Sequence, residues 1–304
     1  MKARILDHLN PSSEPISGER LSRSLGVSRV AIWKHIRQLQ ELGYDIEATA
    51  KGYRLISGPD TPFAWAFRPD RQARVHHFAE VVSTMDTAME LGRNGCPAFS
   101  VVVAEQQTQG RGRLQRPWQS ARGGLYFTMV LRPAIALSDA PLINLAAALD
   151  MAATLNDLYD IQAQLKWPND LLVQDRKLAG ILSQMSAEPD RIEFINLGIG
   201  LNVHNNTQPP AVSVAALTGK TVSRVRILEG FWDRLEQRLQ NADLSAVVAQ
   251  WKVKTITLGR QVKVQTLNEQ FEGRAVDVQD NGGLVLETAD GRRMTVVYGD
   301  CFHQ

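Results

Sequence analysis

The chain has 304 residues, 44% of them hydrophobic and 22% charged, and a formal net charge of +2 at pH 7. This length is enough to bury more than one hydrophobic core, and so small a net charge points by itself to neither nucleic acid nor a membrane surface. No apolar signal region begins the sequence and no apolar run is long enough to span a bilayer, so we expect a cytoplasmic protein without a membrane partner.

Cysteine and histidine give no sign of a metal centre. The two cysteines, Cys96 and Cys301, have neither metal-ligand nor redox-pair spacing, which predicts free thiols in a reducing compartment. The six histidines form no ligand cluster, so we expect no structural metal.

Residues 1–60 have the pattern of a winged helix-turn-helix. Ser17 can cap one helix, Gly26 marks a turn, and Ser28 can cap a second helix. The apolar positions of that second helix recur at helical spacing and are Ile32, Ile36 and Leu39. Two short β-strands around a tight turn follow within residues 46–55 and would form the wing.

The helix-turn-helix segment has a basic face. From Arg20 to Arg37 there are five basic residues and no acidic one, and they lie largely off the apolar stripe. Such a face suits the phosphates and the major groove of DNA, although a small helical protein-interaction module is the alternative. Trp33 is a candidate for internal packing. The residues predicted to contact DNA are Ser28, Arg29, Lys34 and Arg37.

A linker and a strand lead to a polar turn. Residues 59–62 interrupt all periodicity and predict a stiff linker. The stretch from Val75 to Val82 alternates like a β-strand and ends at Ser83 and Thr84, which can cap a helix that starts near Thr87. Plain helix capping explains these hydroxyls, and it is compatible with a binding site built on the same turn.

An arginine-rich loop follows the predicted strand Phe99 to Gln106 and the adjoining Gln107. We call residues 110–119 the arginine loop. Arginines without a counterion repel one another, and glycine lets the backbone close over a ligand, so the loop favours an anion such as a phosphate or carboxylate. A solvated surface loop is the alternative. Between Gln106 and Ser138 the chain has no acidic residue but contains Arg111, Arg113, Arg116, Arg122 and Arg132.

Residues 166–182 predict two short strands joined by the polar turn 174–176. Pro168 cannot donate a hydrogen bond to a sheet, so the residues around it form a turn or a sheet edge that holds Lys166 and Asp170 at a strand end. Lys166 is then a fixed point charge, and Asp170 is placed to orient it or to hold a metal. A hairpin with one core tryptophan and ordinary surface charges is the alternative.

Residues 195–203 place Gly198, Gly200 and Asn202 inside a strand-like run. Glycine weakens a strand unless something must approach its backbone closely. Because no third glycine precedes a helix, the segment is a weak dinucleotide signal and does not predict a Rossmann fold.

The remaining segments predict an α+β architecture. Leu125 to Leu131 alternates as a strand, residues 140–158 form a long apolar helix, and residues 226–239 and 244–251 form two more helices. The central part is therefore a mixed sheet with helices on one side. From Gly259 onward, short strands alternate with turn signals, which predicts a small β-barrel.

Taken together, these segments resemble the catalytic domain of biotin protein ligases. The motifs occur in the family's order and are Ser83 with Thr84, residues 105–107, Gly110 to Arg113 with Arg116 and Trp118, Lys166 to Leu171, Lys177 to Leu182, and Gly198 to Asn202. They span most of residues 63–256, and the flanking residues 1–60 and 257–304 extend the resemblance to nearly the whole chain. The bifunctional ligases that also repress biotin synthesis are the most similar family. This resemblance implies a winged helix-turn-helix, a central mixed sheet like that of biotin and lipoate ligases, and a C-terminal SH3-like barrel.

The resemblance also implies residue roles. Lys166 and Arg113 would be catalytic. The biotin-binding residues would be Ser83, Thr84, Met85, Gln107, Arg111, Gly112, Arg113 and Lys166. Asp170 would hold Mg²⁺ with ATP, and Met85, where family members often have asparagine, would contribute through its backbone. The residues that bind ATP or the adenylate would be Arg111, Arg113, Arg116, Trp118, Asn169, Gly198, Gly200 and Asn202.

The implied reaction has two steps. The carboxylate of biotin attacks the α-phosphate of ATP, which gives biotinyl adenylate and pyrophosphate, and a lysine of the biotin carboxyl carrier protein of acetyl-CoA carboxylase then displaces AMP. Two anions in contact repel by about 4 kcal/mol at an effective dielectric constant near 20, so fixed cations are the chief catalytic need. If the adenylate orders the arginine loop, it could also favour a homodimer that binds a palindromic operator of biotin synthesis genes.

Two other functions fit parts of the sequence. A lipoate protein ligase shares the adenylation chemistry, but the winged helix argues against it. A non-catalytic transcription regulator could use the arginine loop to sense an anionic effector, but Lys166 and Asp170 favour catalysis.

Overall fold

The computed structural model describes residues 1–9, 14–240 and 244–304, and these residues form two compact units, Met1–Ala73 and Arg74–Gln304. Within the described ranges, every helix is too short or too polar to cross a membrane.

The N-terminal unit has the predicted helix-turn-helix and wing. Its elements are α1 (Lys2–Leu9), α2 (Gly18–Leu25), α3 (Arg29–Glu41), β1 (Asp45–Thr49) and β2 (Gly52–Ser57). The two strands pair antiparallel. The chain therefore turns from α2 into α3 and then forms a two-stranded wing.

Local signals set the ends of α2 and α3. The hydroxyl of Ser17 accepts a hydrogen bond from the Arg20 amide at 3.1 Å, and that of Ser28 accepts one from the Ala31 amide at 3.2 Å. Gly26 ends α2 with φ +69°, a left-handed conformation that favours glycine. These caps are those that the sequence predicts.

The apolar stripe of α3 is buried, but Trp33 is not. Ile32, Ile36 and Leu39 are at most 2% exposed and pack with apolar residues of α1 and α2. Internal packing of Trp33 was the wrong expectation, because the side chain is 53% exposed. Trp33 follows Ile32 directly, and successive helical residues point about 100° apart, so Trp33 turns away from the stripe.

A seven-stranded mixed sheet forms the centre of the second unit. Its strands are β3 (Val75–Phe78), β4 (Ser100–Ala104), β5 (Leu125–Leu131), β6 (Gln164–Lys166), β7 (Asp170–Val173), β8 (Arg176–Ala187) and β9 (Ile192–Leu201). The order is β3-β4-β5-β9-β8-β7-β6, in which β3 and β4 are parallel and the other pairs antiparallel. β3 ends earlier than the strand predicted over residues 75–82, and Ser83 then caps the following helix.

Helices cover both faces of this sheet, not one face as predicted. The helix α4 packs on Val102 and Val130, whereas Phe231 of α7 meets Phe127 on the opposite face. Every residue of β4 and β5 is buried, so both faces of these strands need a cover. The helices are α4 (Thr84–Arg93), α5 (Leu142–Tyr159), α6 (Val214–Thr218), α7 (Arg224–Gln240) and α8 (Val247–Lys254).

The C-terminal barrel consists of five antiparallel strands. They are β10 (Gln261–Gln265), β11 (Gln270–Val278), β12 (Leu284–Glu287), β13 (Arg293–Val296) and β14 (Asp300–His303), in the order β13-β12-β11-β10-β14. Alternating residues such as Val262, Val264 and Leu286 are fully buried. These strands lie in the region where short strands between turn signals predicted a small barrel.

We predict that Leu39→Ala lowers the free energy of unfolding of the N-terminal unit by about 2–5 kcal/mol, because it removes a fully buried side chain from a small core. Native-state hydrogen exchange of the α3 amides in the full chain measures this quantity. Val30→Ala, on the same helix but 63% exposed, is the matched control and should change it by less than about 0.5 kcal/mol. Equal effects of the two substitutions would contradict the described core.

Candidate functional site

A cavity of about 230 Å³ lies on the face of the central sheet that also carries α4. The start of α4, the arginine loop, the turn between β6 and β7, and the first residues of β14 contribute to its walls. Their binding roles remain predictions. The predicted residues that line this cavity are Ser83, Thr84, Met85, Gln107, Arg111, Gly112, Arg113, Arg116, Trp118, Lys166, Asn169, Asp170, Gly198 and Gly200.

Buried neighbours fix Lys166 at one end of the cavity. Leu165 is 0% and Trp167 1% exposed. The Trp167 amide donates to Thr257 Oγ1 at 2.9 Å, and its indole Nε1 donates to the Gly282 carbonyl at 2.9 Å. Since Thr257 precedes β10 and Gly282 lies between β11 and β12, the C-terminal barrel and the central sheet together determine where the Lys166 backbone lies.

Lys166 has no ion pair with any residue that the structure describes. Its Nζ stands 6.0 Å from the centre of the Phe302 ring, and no carboxylate of the described residues lies within ion-pair distance. Asp170, a candidate to orient Lys166, instead pairs with Lys177, with 2.8 Å between Oδ1 and Nζ. Lys166 is therefore a cation of this cavity that has no carboxylate partner among the described residues.

The cavity offers little to a resident metal ion. The described residues contain no group of three or more His, Cys, Asp or Glu side chains that could hold one. Of its lining residues, Asp170 and Asp300 have carboxylates. Mg²⁺ that accompanies ATP needs only one or two carboxylates besides phosphate and water oxygens. The donor set therefore fits Mg²⁺ as a companion of nucleotide phosphates, and the assignment of Asp170 to it remains a prediction.

A polar network joins the start of α4 to the end of the arginine loop. The Gln107 carbonyl oxygen accepts hydrogen bonds from the Thr84 amide at 2.8 Å and the Thr84 hydroxyl at 3.1 Å. Thr128 donates to the Thr84 hydroxyl at 2.9 Å, and Gln107 Nε2 donates to Ser120 Oγ at 2.8 Å. Ser83 caps the helix. This wall thus presents oriented amide and hydroxyl groups to a polar ligand.

The glycines of β8 and β9 make room for Trp118. A Cβ on Gly200 would lie 2.4 Å from the Trp118 indole, and one on Gly180 would lie 3.1 Å from it. Likewise, a Cβ on Gly198 would lie 2.7 Å from Met85 Cε. The close approach expected at Gly198 and Gly200 is therefore made, in this structure, by side chains of the protein itself.

The arginine loop folds as a narrow hairpin. The Gly112 amide donates to the Arg116 carbonyl at 2.8 Å, and the Trp118 amide donates to the Gly110 carbonyl at 2.8 Å. Gly110 is required for packing, because a Cβ there would lie 2.5 Å from the Trp118 carbonyl oxygen. At its tip, Leu114 has a φ of +50°, which is unusual for a residue with a side chain.

Carboxylates from distant elements pair with the arginines of this loop, and one of these carboxylates is shared by two arginines. Arg111 pairs with Asp86 of α4. Arg113 Nε lies 3.6 Å from Asp300 Oδ1, and Arg116 Nε lies 3.0 Å from Asp300 Oδ2. We expected an anionic ligand to relieve the repulsion among these arginines, and in the structure two aspartates relieve part of it.

Burial changes the pKa of two groups near the barrel. Desolvation lowers the pKa of Arg113, whereas Asp300 and Asp170 oppose that shift, and Arg113 stays protonated because the ordinary pKa of arginine is far above neutrality. Burial, together with the nearby charge of Lys166, lowers the pKa of His303 to about 4. His303 is therefore neutral at neutral pH and adds no charge beside Lys166.

Asn202, the remaining predicted ligand residue, lines a neighbouring cavity of about 120 Å³. Its side chain is held by a hydrogen bond from Asn205 Nδ2 to its Oδ1 at 2.9 Å. Trp118 and Lys177 line both cavities. A ligand that extends past the indole would therefore reach Asn202, and its contact with nucleotide remains a prediction.

The predicted DNA-contacting residues lie on one exposed surface of the N-terminal unit. Ser28, Arg29, Lys34 and Arg37 are all exposed at the start and along the outer side of α3. The guanidinium carbon of Arg37 lies 5.9 Å from the centre of the exposed Trp33 ring. Their exposure makes these side chains accessible to the phosphates and bases of DNA. DNA binding by them remains a prediction.

Sequence reasoning missed several residues of the cavity. Lys177 and Gly180 stood within a quoted motif and had no assigned role. Thr128 lay in an ordinary strand pattern, and Asp300 and Phe302 lay in the predicted barrel, in which no site residue was named. The one signal in the sequence was that the arginine loop needs acidic partners. Asp300 is acidic, but the sequence did not show that it contacts the loop.

Three family models match the chain. The model of the Biotin/lipoate A/B protein ligase family matches residues 78–202, and a model described as HTH domain matches residues 2–54. The Biotin protein ligase C terminal domain model matches residues 257–304. The matches follow the order winged helix, ligase sheet and barrel, and the class of protein that they define is the biotin and lipoate protein ligases.

Relatives cover nearly the whole chain. The Bifunctional ligase/repressor BirA of Bacillus subtilis (strain 168) is 35% identical over 298 residues, which cover 92% of this chain and 91% of that protein. BirA of Bacillus spizizenii is 34% identical over 296 residues, with coverage of 92% and 91%. The solved structure of a biotin protein ligase from Aquifex aeolicus in complex with biotin and ATP is 27% identical, has a TM-score of 0.65, and covers 76% of this chain and 98% of that chain. The chain belongs to the bifunctional ligase/repressor family of biotin protein ligases.

We predict that Gly200→Ala weakens ATP binding by about tenfold or more, because the added methyl group forces the Trp118 indole off the sheet. Gly180→Ala is the graded control, since its Cβ meets the same indole at a longer distance and should have the smaller effect. Calorimetric titration with ATP measures both affinities, and circular dichroism checks the fold. The reverse order of effects would contradict the assigned place of the indole.

Proposed function

We propose that this cavity binds biotin and ATP together, joins them as biotinyl adenylate, and transfers biotin to a lysine of the biotin carboxyl carrier protein of acetyl-CoA carboxylase. The observation that carries the proposal is that three kinds of group converge on one cavity: an unpaired lysine, loop arginines, and a wall of oriented hydroxyl and amide groups. Each kind suits a different part of an acyl adenylate.

The wall formed by Ser83, Thr84 and Gln107 suits the ureido ring of biotin. That ring offers N–H donors and a carbonyl acceptor, and the wall supplies hydroxyl and amide partners. Lipoate ends in an apolar dithiolane ring, which offers these groups no hydrogen-bond donor or acceptor, so binding it here would gain no polar contact. The polar wall therefore favours biotin over lipoate.

Charge governs the first step. A carboxylate oxygen of biotin attacks the α-phosphorus of ATP, the bond from that phosphorus to the bridging oxygen breaks, and pyrophosphate leaves. Lys166 is fixed, half-buried and free of a counterion in the described residues, so its full charge can act on the α-phosphoryl oxygens as they gain negative charge. Arg113 and Arg116 add charge from the loop side. Mg²⁺ bound by ATP and Asp170 would neutralise phosphate charge.

The second step consumes the adenylate. The neutral acceptor amine attacks the acyl carbon and releases a proton to solvent, the bond from that carbon to the phosphate oxygen breaks, and AMP leaves with the negative charge that Lys166 and the arginines stabilise. Closure of the arginine loop over the ligand would keep water from competing with the amine.

The N-terminal unit makes the chain a repressor of biotin synthesis genes through binding of operator DNA. Exposed Arg29, Lys34 and Arg37 on α3 suit the phosphates and base edges of the major groove. We place the chain in the cytoplasm, where its two free cysteines, Cys96 and Cys301, stay reduced. A non-catalytic effector sensor is the alternative, and it would bind the same ligands without releasing pyrophosphate.

We predict that Lys166→Ala lowers the rate of pyrophosphate release in the presence of biotin and ATP by about 10²-fold or more, as the loss of one positioned charge usually does. Lys220→Ala, at an exposed lysine that lines neither cavity, is the matched control and should leave the rate unchanged. The same assay with lipoate in place of biotin should release no pyrophosphate above background.

Three outcomes would count against this proposal. A near-normal rate for Lys166→Ala would remove Lys166 from catalysis. Release with lipoate would change the substrate class. Binding of biotin and ATP by the unaltered chain without any pyrophosphate release would favour the effector sensor.

Repression would be coupled to the adenylate through dimerisation. If the adenylate orders the arginine loop, it can favour a symmetric homodimer, and a dimer presents two α3 helices to a palindromic operator. Sedimentation velocity of the full chain should show a larger species with biotin and ATP than without them. Association that is independent of ligand would remove this switch.

A further inference from the structure

Asp300 binds the two arginines of the loop that point toward the barrel. It is the first residue of β14 and pairs with Gln265 of β10, so its backbone belongs to the barrel sheet. One carboxylate oxygen lies 3.6 Å from Arg113 Nε and the other 3.0 Å from Arg116 Nε. The side chains of Asp300 and Arg113 are 14% and 18% exposed, so water screens this contact less than it would on an open surface, whereas the Arg116 side chain is 51% exposed.

The same strand presents a second group to the cavity. Phe302 lies two residues after Asp300 and therefore on the same side of β14. The Phe302 ring centre is 5.0 Å from the guanidinium carbon of Arg116 and 6.0 Å from Lys166 Nζ. The barrel strand thus contacts both the loop cations and the fixed lysine.

These contacts divide the cations of the cavity into two kinds. Arg113 and Arg116 already have a carboxylate partner, whereas Lys166 has none among the described residues. A phosphate that enters the cavity can approach Lys166 directly. To reach the arginines, it must compete with Asp300.

We propose that Asp300 is an internal counter-anion that the phosphates of ATP displace from Arg113 and Arg116, and that it thereby sets the affinity of the cavity for phosphate-bearing ligands. This inference rests on the proposed function, because it takes ATP as the ligand. Asp300 touches the arginines and not the reacting atoms, so it is a specificity-determining and positioning residue, not a catalytic one.

Comparing the free protein with its ATP complex gives the direction in which loss of the Asp300 charge changes the ATP affinity. In the free protein, the ion pairs with Asp300 stabilise the arginines. In the complex, Asp300 stands near bound phosphate and repels it. Removing the negative charge therefore makes the free state less stable and the complex less strained, and both changes tighten the binding of ATP. Biotin alone has no phosphate, so its affinity should not depend on Asp300.

The test is the variant Asp300→Asn in the full chain, with ATP and biotin affinities measured separately by calorimetry. We expect ATP to bind about three- to tenfold more tightly, the range of a partly screened ion pair, and biotin to bind within about twofold of the unaltered chain. Asp300→Glu, which keeps the charge, should restore an affinity for ATP near that of the unaltered chain. Asp280→Asn, an exposed aspartate of the same barrel, is the matched control and should change neither affinity.

The outcomes separate this inference from the proposed function. Unchanged or weaker ATP binding by Asp300→Asn would overturn the counter-anion role. Equal changes for ATP and biotin would also overturn it, because they would indicate a general distortion of the cavity. Asp300→Ser removes the same charge with a smaller side chain, and it must give the same tightening if Asp300→Asn does not fold. Failure of the unaltered chain to bind either ligand would count against the proposed function itself.

Discussion

Charge balance in one cavity is the constraint on which the structure of the ligase unit depends. Lys166, Arg113 and Arg116 face the same space, and like charges so close would drive the elements apart unless anions stood between them. In the free protein, Asp300 supplies part of that negative charge. During the reaction, the phosphates of ATP would supply this negative charge. The need to balance the cavity cations therefore stabilises the free site and also favours phosphate-bearing ligands.

These charges meet because the central sheet, which carries Lys166, packs against the barrel, which carries Asp300. Trp167 fixes the turn beside Lys166 through hydrogen bonds to Thr257 and Gly282 at the edge of the barrel. Asp300 reaches the arginine loop from the last barrel strand. The barrel is therefore part of the site and not merely a cap behind it, which gives a physical reason why the ligase sheet and the barrel form one compact unit.

Local chemistry made much of this architecture predictable from sequence. Ser28 and Ser83 mark helix starts, Pro168 marks the turn beside Lys166, and Gly200 marks a close approach, because each signal acts on its own few residues. The resemblance to biotin protein ligases supplied the roles. Contacts between segments far apart in the chain were not predictable, because they leave no local sequence pattern. The pairing of Asp300 with the arginine loop and the packing of α4 on one face of the sheet are two examples. The exposure of Trp33 was missed for a related reason, because hydrophobicity alone does not fix the direction of a side chain.

The most direct test of this account is a crystal structure of the chain with a non-hydrolysable analogue of biotinyl adenylate. The account predicts that the phosphoryl oxygens lie within hydrogen-bond distance of both Lys166 Nζ and the Arg113 guanidinium, with the bicyclic ring against Thr84 and Gln107. An analogue bound elsewhere, or a phosphoryl group that contacts neither cation, would contradict the account.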